Sequence, residues 1–257
     1  MPIIQSVARA LSILELFDDI NRELSIKEIS VKLDLNKSTV HSLLKTLKEY
    51  GYISQNNETT NYSLGWKLYE RGHLMVSQMD IRNVARIHLE KLNEQTNQTV
   101  HLVTLQGKEA IYIDKIDGHS SLVIYSRIGK RVPLHSSGVG KVLAAFLDEN
   151  QLKSLLEGYI YEKRTENSID SYARFIEALE EVREVGYAKD YEENEPGIIC
   201  FAMPVHDFSG EVIAAVSVST PKSHFNDEIA ERNYQYLKEC VEAISSNLGY
   251  KNSLVKG

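Results

Sequence analysis

Apolar residues recur at two periods along this 257-residue chain, and the change from one to the other divides it. Over roughly the first fifty residues the spacing is three, four and seven, that of one buried helical face. Ser6 stands ahead of Val7, Ala10, Leu11, Leu14 and Phe17 and predicts a capped helix with one apolar stripe. Ser25 and Glu28 have capping-box spacing, and Ile26, Ile29 and Leu33 follow on one face. Beyond a short turn, Asn36 opens a third helix, in which Val40, Leu43, Leu44 and Leu47 form the buried stripe and Gly51 ends the run. "YISQNNETTNYSL" then alternates about an asparagine-rich tip, as a two-stranded hairpin does. Three helices and a hairpin make a winged helix-turn-helix over residues 1–64.

The stretch "GWKLYERGHLMVSQMDIRNVARIHLEKLNEQTN" contains no proline and reads as a linker helix over 65–79, a break near Asp80, and the first helix of a second domain, 80–257. From there a period of two dominates. "TVHLVTLQGKEAIYIDKIDG" alternates on both sides of Gln106-Gly107-Lys108, a hairpin pattern. Further strands are predicted at 122–126, 186–191, 198–206 and 212–219, with helices at 140–147, 171–185 and 227–248. Antiparallel strands with helices packed on them make an α+β domain.

Composition adds limits. With 42% hydrophobic and 25% charged residues the chain has the make-up of a folded globular protein. No apolar run approaches the roughly 20 residues of a membrane span, and the N-terminus lacks the features of a signal peptide, so a cytoplasmic protein with no membrane partner is expected. Cys200 and Cys240 have neither zinc-ribbon nor disulfide-framework spacing, which leaves reduced thiols. The net charge of −7 excludes nucleic-acid binding over the whole surface, yet Asn36 to Lys48 holds Lys37, Lys45 and Lys48 and no acid. On the exposed side of the third helix, Lys37, Ser38, Thr39, His41, Ser42 and Lys45 offer donors suited to phosphates and to base edges in the major groove.

Catalytic motifs are weaker. "HSSGVGK", His135 to Lys141, lacks the spacing of a phosphate loop. A hydrolase built on Ser136 or Ser137, His135 and Asp190 lacks the nucleophile elbow, and a metal site from His135, Asp190 and Cys200 lacks helical or paired-cysteine spacing. No cofactor, metal or catalytic residue is therefore assigned. Three features remain. Gly138 and Val139 lie where a loop turns into a helix, so their amides can face a carboxylate. Ser217 and Ser219 share one strand face, where backbone bonding is the alternative to ligand binding. Asp190 closes a short strand, while Glu192, Glu193 and Glu195 read as solvated loop residues.

Five blocks, "SVARALSILELF", "LNKSTVHSLLKTLKEYGYI", "YSLGWKLYERG", "RIGKRVPLHSSGVGKVLAAFL" and "GYAKDYEENEPGIICFAMPVHDFSGEVIAAVSVSTP", are together similar to the IclR family of bacterial transcriptional regulators, in colinear order over nearly the whole chain. The resemblance implies a winged helix-turn-helix, a linker helix and a GAF-like effector domain with a central antiparallel sheet. It implies a double-stranded DNA operator, dimers or tetramers of the chain, and control of a catabolic operon by a small carboxylic acid, repression before activation. Carried over, the effector pocket takes the backbone of Gly138 and Val139, the side chains of Asp190, Cys200, Ser217 and Ser219, and apolar walls from Ile124 and Val132. Arg9 becomes a phosphate contact. Ser42 stands where many members carry arginine, so that contact is lost or supplied elsewhere. The competing reading is an enzyme acting on small organic acids with a fused helical domain.

Overall fold

The computed structural model describes residues 3–18, 20–77, 80–118 and 126–251. Contacts divide the chain into two compact units, Met1–Gln78 and Met79–Gly257.

The first unit holds α1 (Gln5–Leu14), α2 (Ile26–Leu33), α3 (Lys37–Glu49), the hairpin strands β1 (Ile53–Gln55) and β2 (Tyr62–Leu64), and α4 (Trp66–Ser77). Ile13, Phe17, Leu24, Ile29, Val40, Leu44, Ile53 and Tyr62 form its core. The capping box is present: the Ser25 hydroxyl accepts from the Glu28 amide at 3.3 Å, and the Glu28 carboxylate accepts from the Ser25 amide at 2.8 Å. Asn36 occupies the cap position of α3 without a side-chain bond, and Gly51 follows the helix with φ 78°, a conformation glycine takes without steric cost. Leu24 pairs with Tyr62 and adds a third short strand segment to the wing.

α1 departs from the sequence expectation twice. Ile4, not Ser6, is its N-cap, with no side-chain cap. Val7 and Leu11 are 54% and 57% exposed, whereas Ile13 is fully buried. α1 carries two apolar stripes, and period alone cannot say which one the fold covers; α2 and α3 take the Ile13 side.

The second unit is a three-layer sandwich. Its sheet, order β5-β4-β3-β8-β7-β6, is antiparallel throughout and comprises β3 (Thr99–Gln106), β4 (Glu109–Ile116), β5 (Arg131–Val132), β6 (Ala188–Tyr191), β7 (Ile198–His206) and β8 (Val212–Pro221). On one face Leu102, Phe201, Val216 and Val218 meet α5 (Asp80–Thr96) and α9 (Asp227–Asn247). On the other, Val103, Ala202 and Ala215 meet α6 (Gly138–Ala145) and α8 (Tyr172–Val185), with α7 (Glu149–Leu156) beside them. The predicted Gln106-Gly107-Lys108 hairpin joins β3 and β4. α6 begins two residues before the predicted Gly140, because Ser137 caps it by accepting from the Gly140 amide at 3.1 Å. A Cβ at Gly140 would collide with the Pro133 carbonyl and with Leu134, so glycine is required for this close approach. β5 and α7 have too little period to be predicted. The strand expected at 122–126 falls largely outside the described residues, as does Ile124. Among the described residues no helix is long and apolar enough to cross a membrane.

Asp114, fully buried on β4, fastens α5 to the sheet. Its Oδ1 accepts from Arg86 at 3.0 Å and from the Lys115 amide at 2.8 Å, while Arg82 Nε stands 3.6 Å from Oδ2, too far for a hydrogen bond. Both arginines keep some solvent contact, so removing the acid lets them rehydrate, whereas removing the arginines strands a buried carboxylate. Asp114→Ala is expected to cost about 2 kcal/mol. The double replacement Arg82→Ala/Arg86→Ala is expected to cost more, about 3–5 kcal/mol, both read from urea unfolding at pH 7.

Candidate functional site

In the first unit the residues proposed to read DNA sit on one exposed face. Lys37, Ser38, His41, Ser42 and Lys45 of α3 are exposed and Thr39 is half-buried. Buried Val40 and Leu44 pin the opposite side of the helix, which fixes this face outward. Ser42 donates to the Ser38 carbonyl at 3.1 Å, so its hydroxyl is held along the helix rather than extended as an arginine would be. Lys48 reaches Gln55 Oε1 on the wing at 2.9 Å and braces helix against hairpin. Arg9 is exposed on α1.

In the second unit the sheet register creates the site. Asp190 on β6 pairs with Cys200 on β7, which pairs with Ser219 on β8, which pairs with Thr99 on β3. The adjoining row runs Ala188, Ala202, Ser217, His101. A cavity of about 250 Å³ opens over the first row. Asp190, Cys200, Ser219 and Val132 line it, together with His101, Tyr112, Ser126, Lys130, Arg131, Arg164, Asn194 and Glu195. The Cys200 and Ser219 side chains lie 3.0 Å apart. Ser217 stands behind the wall, its hydroxyl 3.3 Å from His101 Nδ1, while His101 Nε2 is 2.6 Å from Ser126 Oγ. Gly138 and Val139 are buried in the first turn of α6, where helical geometry leaves their amides without an intrahelical partner. They do not line the cavity: a Cβ at Gly138 would lie 3.2 Å from the Ala202 Cβ, in the neighbouring row.

None of the three loop glutamates is fully exposed, contrary to the sequence reading, although Glu192 keeps 22% of its side-chain surface in solvent. The Lys141 ammonium sits 2.7 and 2.8 Å from the two oxygens of Glu193, with side-chain exposures of 6% and 14%. Glu192 accepts from the Gly197 amide at 2.9 Å and from Lys222. Glu195 faces the cavity. A loop between paired strands that folds back over a helix start buries its polar groups, and buried polar groups must find partners.

Burial decides the charge states. It raises Asp190 to about 7, helped by the negative Glu193 and opposed by Lys141 and by the Glu193 and Asn194 amides. It lowers His101 to about 3, with Lys115 adding to the effect, so the imidazole is neutral at physiological pH. Burial also pushes the Cys200 thiol and the Tyr112 phenol upward, keeping both protonated. Glu195 is raised by burial, against the attraction of Lys130, Arg164 and Lys115. The cavity thus sets lysine and arginine donors and two carboxylates around neutral hydroxyl, thiol and imidazole groups.

His101, Tyr112, Arg131, Arg164 and Glu195 are lining residues that sequence reasoning did not find. The alternation of "TVHLVTLQ" carried a signal for His101, since it puts that residue on the face of Val103. Arg164 lies in a segment with no period to place it.

Residues 6–57 match the family described as IclR helix-turn-helix domain, and residues 73–246 match the bacterial transcriptional regulator IclR C-terminal family. The chain is 48% identical to the HTH-type transcriptional regulator XynR of Escherichia coli K12, covering 97% of this chain and 99% of that one. It is 34% identical to the DNA-binding transcriptional repressor YiaJ of the same strain, over 96% and 88% of the two chains. The crystal structure of Thermotoga maritima IclR superposes with a TM-score of 0.78 at 34% identity, over 96% and 99% of the two chains. With both halves matched, and with relatives alike over almost their full length, the protein belongs to the IclR family of bacterial transcriptional regulators and acts as a DNA-binding transcription regulator.

Proposed function

We propose that the protein controls a catabolic operon in response to a small carboxylic acid carrying at least one hydroxyl, bound in the cavity over Asp190, Cys200 and Ser219. One observation carries this reading: a single cavity of about 250 Å³ sets Lys130, Arg131 and Arg164 beside the acceptors Asp190 and Glu195. Such a volume suits a ligand smaller than a typical drug. Cations suit the carboxylate, and the two acids suit donors on the same molecule, Asp190 as an ionised acceptor above about pH 7. Ser217 acts through His101. Gly138 and Val139 act from the adjoining row, where the positive end of α6 favours an anion.

Residues 1–64 serve as the DNA-binding domain, 65–79 as the linker helix and 80–257 as the effector domain. Arg9, Lys37 and Lys45 contact phosphates, while Ser38, Thr39, His41 and Ser42 face the bases. The chain works as a homo-oligomer, since Ile3, Ile4, Val7 and Leu11 form an exposed apolar stripe that a second copy can cover. Paired winged helices then meet the two halves of a pseudo-palindromic operator. Effector binding shifts the equilibrium between two arrangements of that pair, with a coupling of about 1–3 kcal/mol. Repression is favoured over activation, in keeping with the name of the relative YiaJ.

Regulation is also favoured over catalysis. The contacts of His101 with Ser126 and Ser217 are the cavity's serine–histidine pairs, and His101, lowered to about 3, is too weak a base to take a serine proton near neutral pH.

Lys37→Ala and Lys45→Ala are each expected to weaken operator binding and to reduce the slope of log affinity against log salt by about 1. Titration of a labelled upstream fragment at several salt concentrations checks this, and an unchanged slope removes that lysine from the interface. A thermal-shift screen of small hydroxy acids is expected to identify a ligand that stabilises the protein by about 2.7 kcal/mol at 100 times its dissociation constant. Asp190→Asn and Ser219→Ala are each expected to weaken that ligand tenfold or more while leaving DNA affinity intact, as suits loss of a hydrogen bond worth about 1.5–3 kcal/mol to a charged group. A variant that binds the ligand normally removes its residue from the site.

A further inference from the structure

The Glu193 residue makes contacts in three directions. Its amide donates to Asp190 Oδ1 at 2.7 Å. Its carbonyl accepts from Ser168 Oγ at 2.7 Å and from Thr165 Oγ1 at 3.1 Å, which ties down the segment carrying the cavity residue Arg164. Its carboxylate is held by Lys141, which reaches out from the interior of α6. No surface requirement explains this pair, because both side chains are largely withdrawn from water. Burying two opposite charges gains little stability over apolar residues of the same shape, so an effect on a neighbour is the more telling consequence.

That neighbour is Asp190. It is flanked by Lys141 from α6, by Glu193 from the loop after β6, by Cys200 from β7 and by Tyr112 from β4. Cys200 and Tyr112 stay neutral through the physiological range, and the cavity's other charges, Glu195, Lys130, Arg131 and Arg164, line the same space. Lys141 and Glu193 are the charged neighbours that act most strongly on Asp190, and they act in opposite senses.

We propose that the buried Lys141–Glu193 ion pair is the positioning element of the effector cavity, holding Asp190 in place through the Glu193 amide and setting the pH range over which it becomes an ionised acceptor. The proposal rests on the reading of Asp190 as an effector acceptor for its biological meaning. Its physical content is independent of any ligand. If Glu193 holds the Asp190 proton and Lys141 expels it, replacing either one alone moves the ionisation of Asp190 in opposite directions. A pair that only stabilised the fold would weaken it in both variants alike.

The test is a pH titration, about 4 to 9, of the full chain labelled with 13C at the aspartate side-chain carboxyls. The Asp190 signal is assigned by its loss in Asp190→Asn. The wild-type midpoint is expected at about 7. Glu193→Gln is expected to lower it by about one pH unit, and Lys141→Met to raise it by a similar amount. Lys141→Arg, which keeps the charge, is expected to leave it in place. Should one single variant fail to fold, the double variant Lys141→Met/Glu193→Gln, with no stranded charge, is compared with the other, and is expected to titrate below Lys141→Met and above Glu193→Gln, because the two charges act in opposite senses. Midpoints that shift in the same direction, a double variant that titrates above Lys141→Met or below Glu193→Gln, or a wild-type Asp190 titrating near the ordinary 3.8, overturn the proposal. Normal ligand binding by Asp190→Asn would instead remove Asp190 from effector recognition and leave these midpoints unchanged, so the two readings fail separately.

Discussion

The register of the antiparallel sheet is the constraint on which the second unit depends. Side chains alternate faces with a period of two, so a slip of one residue between β7 and β8 would turn Cys200 and Ser219 toward opposite sides. In the observed register Asp190, Cys200, Ser219 and Thr99 form one row across four strands, backed by Ala188, Ala202, Ser217 and His101. The alanines of the second row let the start of α6 come close, and Gly140 lets that helix pack on Pro133 and Leu134. The opposite face, rich in valine and other aliphatic residues against α5 and α9, makes the slip costly. A cavity lined by polar groups is therefore held by an apolar core on the far side of the sheet.

Charge is arranged differently in the two units. On α3, lysines and hydroxyls stay in solvent, with no acid before the closing Glu49 in an otherwise acidic chain, an arrangement that acts at a distance and weakens with salt. In the cavity, acids and bases are drawn inside, where solvation is lost and each group alters its neighbours. Asp190, near 7, shows the result: the same carboxyl on the surface would be ionised throughout the physiological range. A DNA-reading surface suits the first arrangement and selective recognition of a small molecule suits the second.

Much of the fold was legible along the chain. The capping box at Ser25, the stripe from Val40 to Leu47, the asparagine-rich wing and the Gln106-Gly107-Lys108 hairpin all depend on neighbours a few residues away, and each formed where its spacing indicated. Failures came where a partner distant in sequence made the choice. Ser6 gave way to Ile4 as the cap of α1, and the Val7–Leu11 stripe was left exposed, because α2 and α3 cover the other side. Glu193 looked solvated because Lys141, fifty-two residues away, cannot be seen as its partner in a local reading.

By itself, then, the sequence determined most of the element types, β5 and α7 excepted, the helix-turn-helix with its cationic face, and the alternation that places Ser217 and Ser219 together. These follow from local periodicity and capping chemistry, which act over one or two turns of chain. Tertiary structure alone decided that Ser219 enters the cavity while Ser217 stands behind His101, that His101, Arg164 and Glu195 join it, and that Glu193 closes on Lys141. The reason is physical: a charge state and a cavity wall are set by what surrounds a group in space, and those surroundings come from strands and loops far apart in the chain.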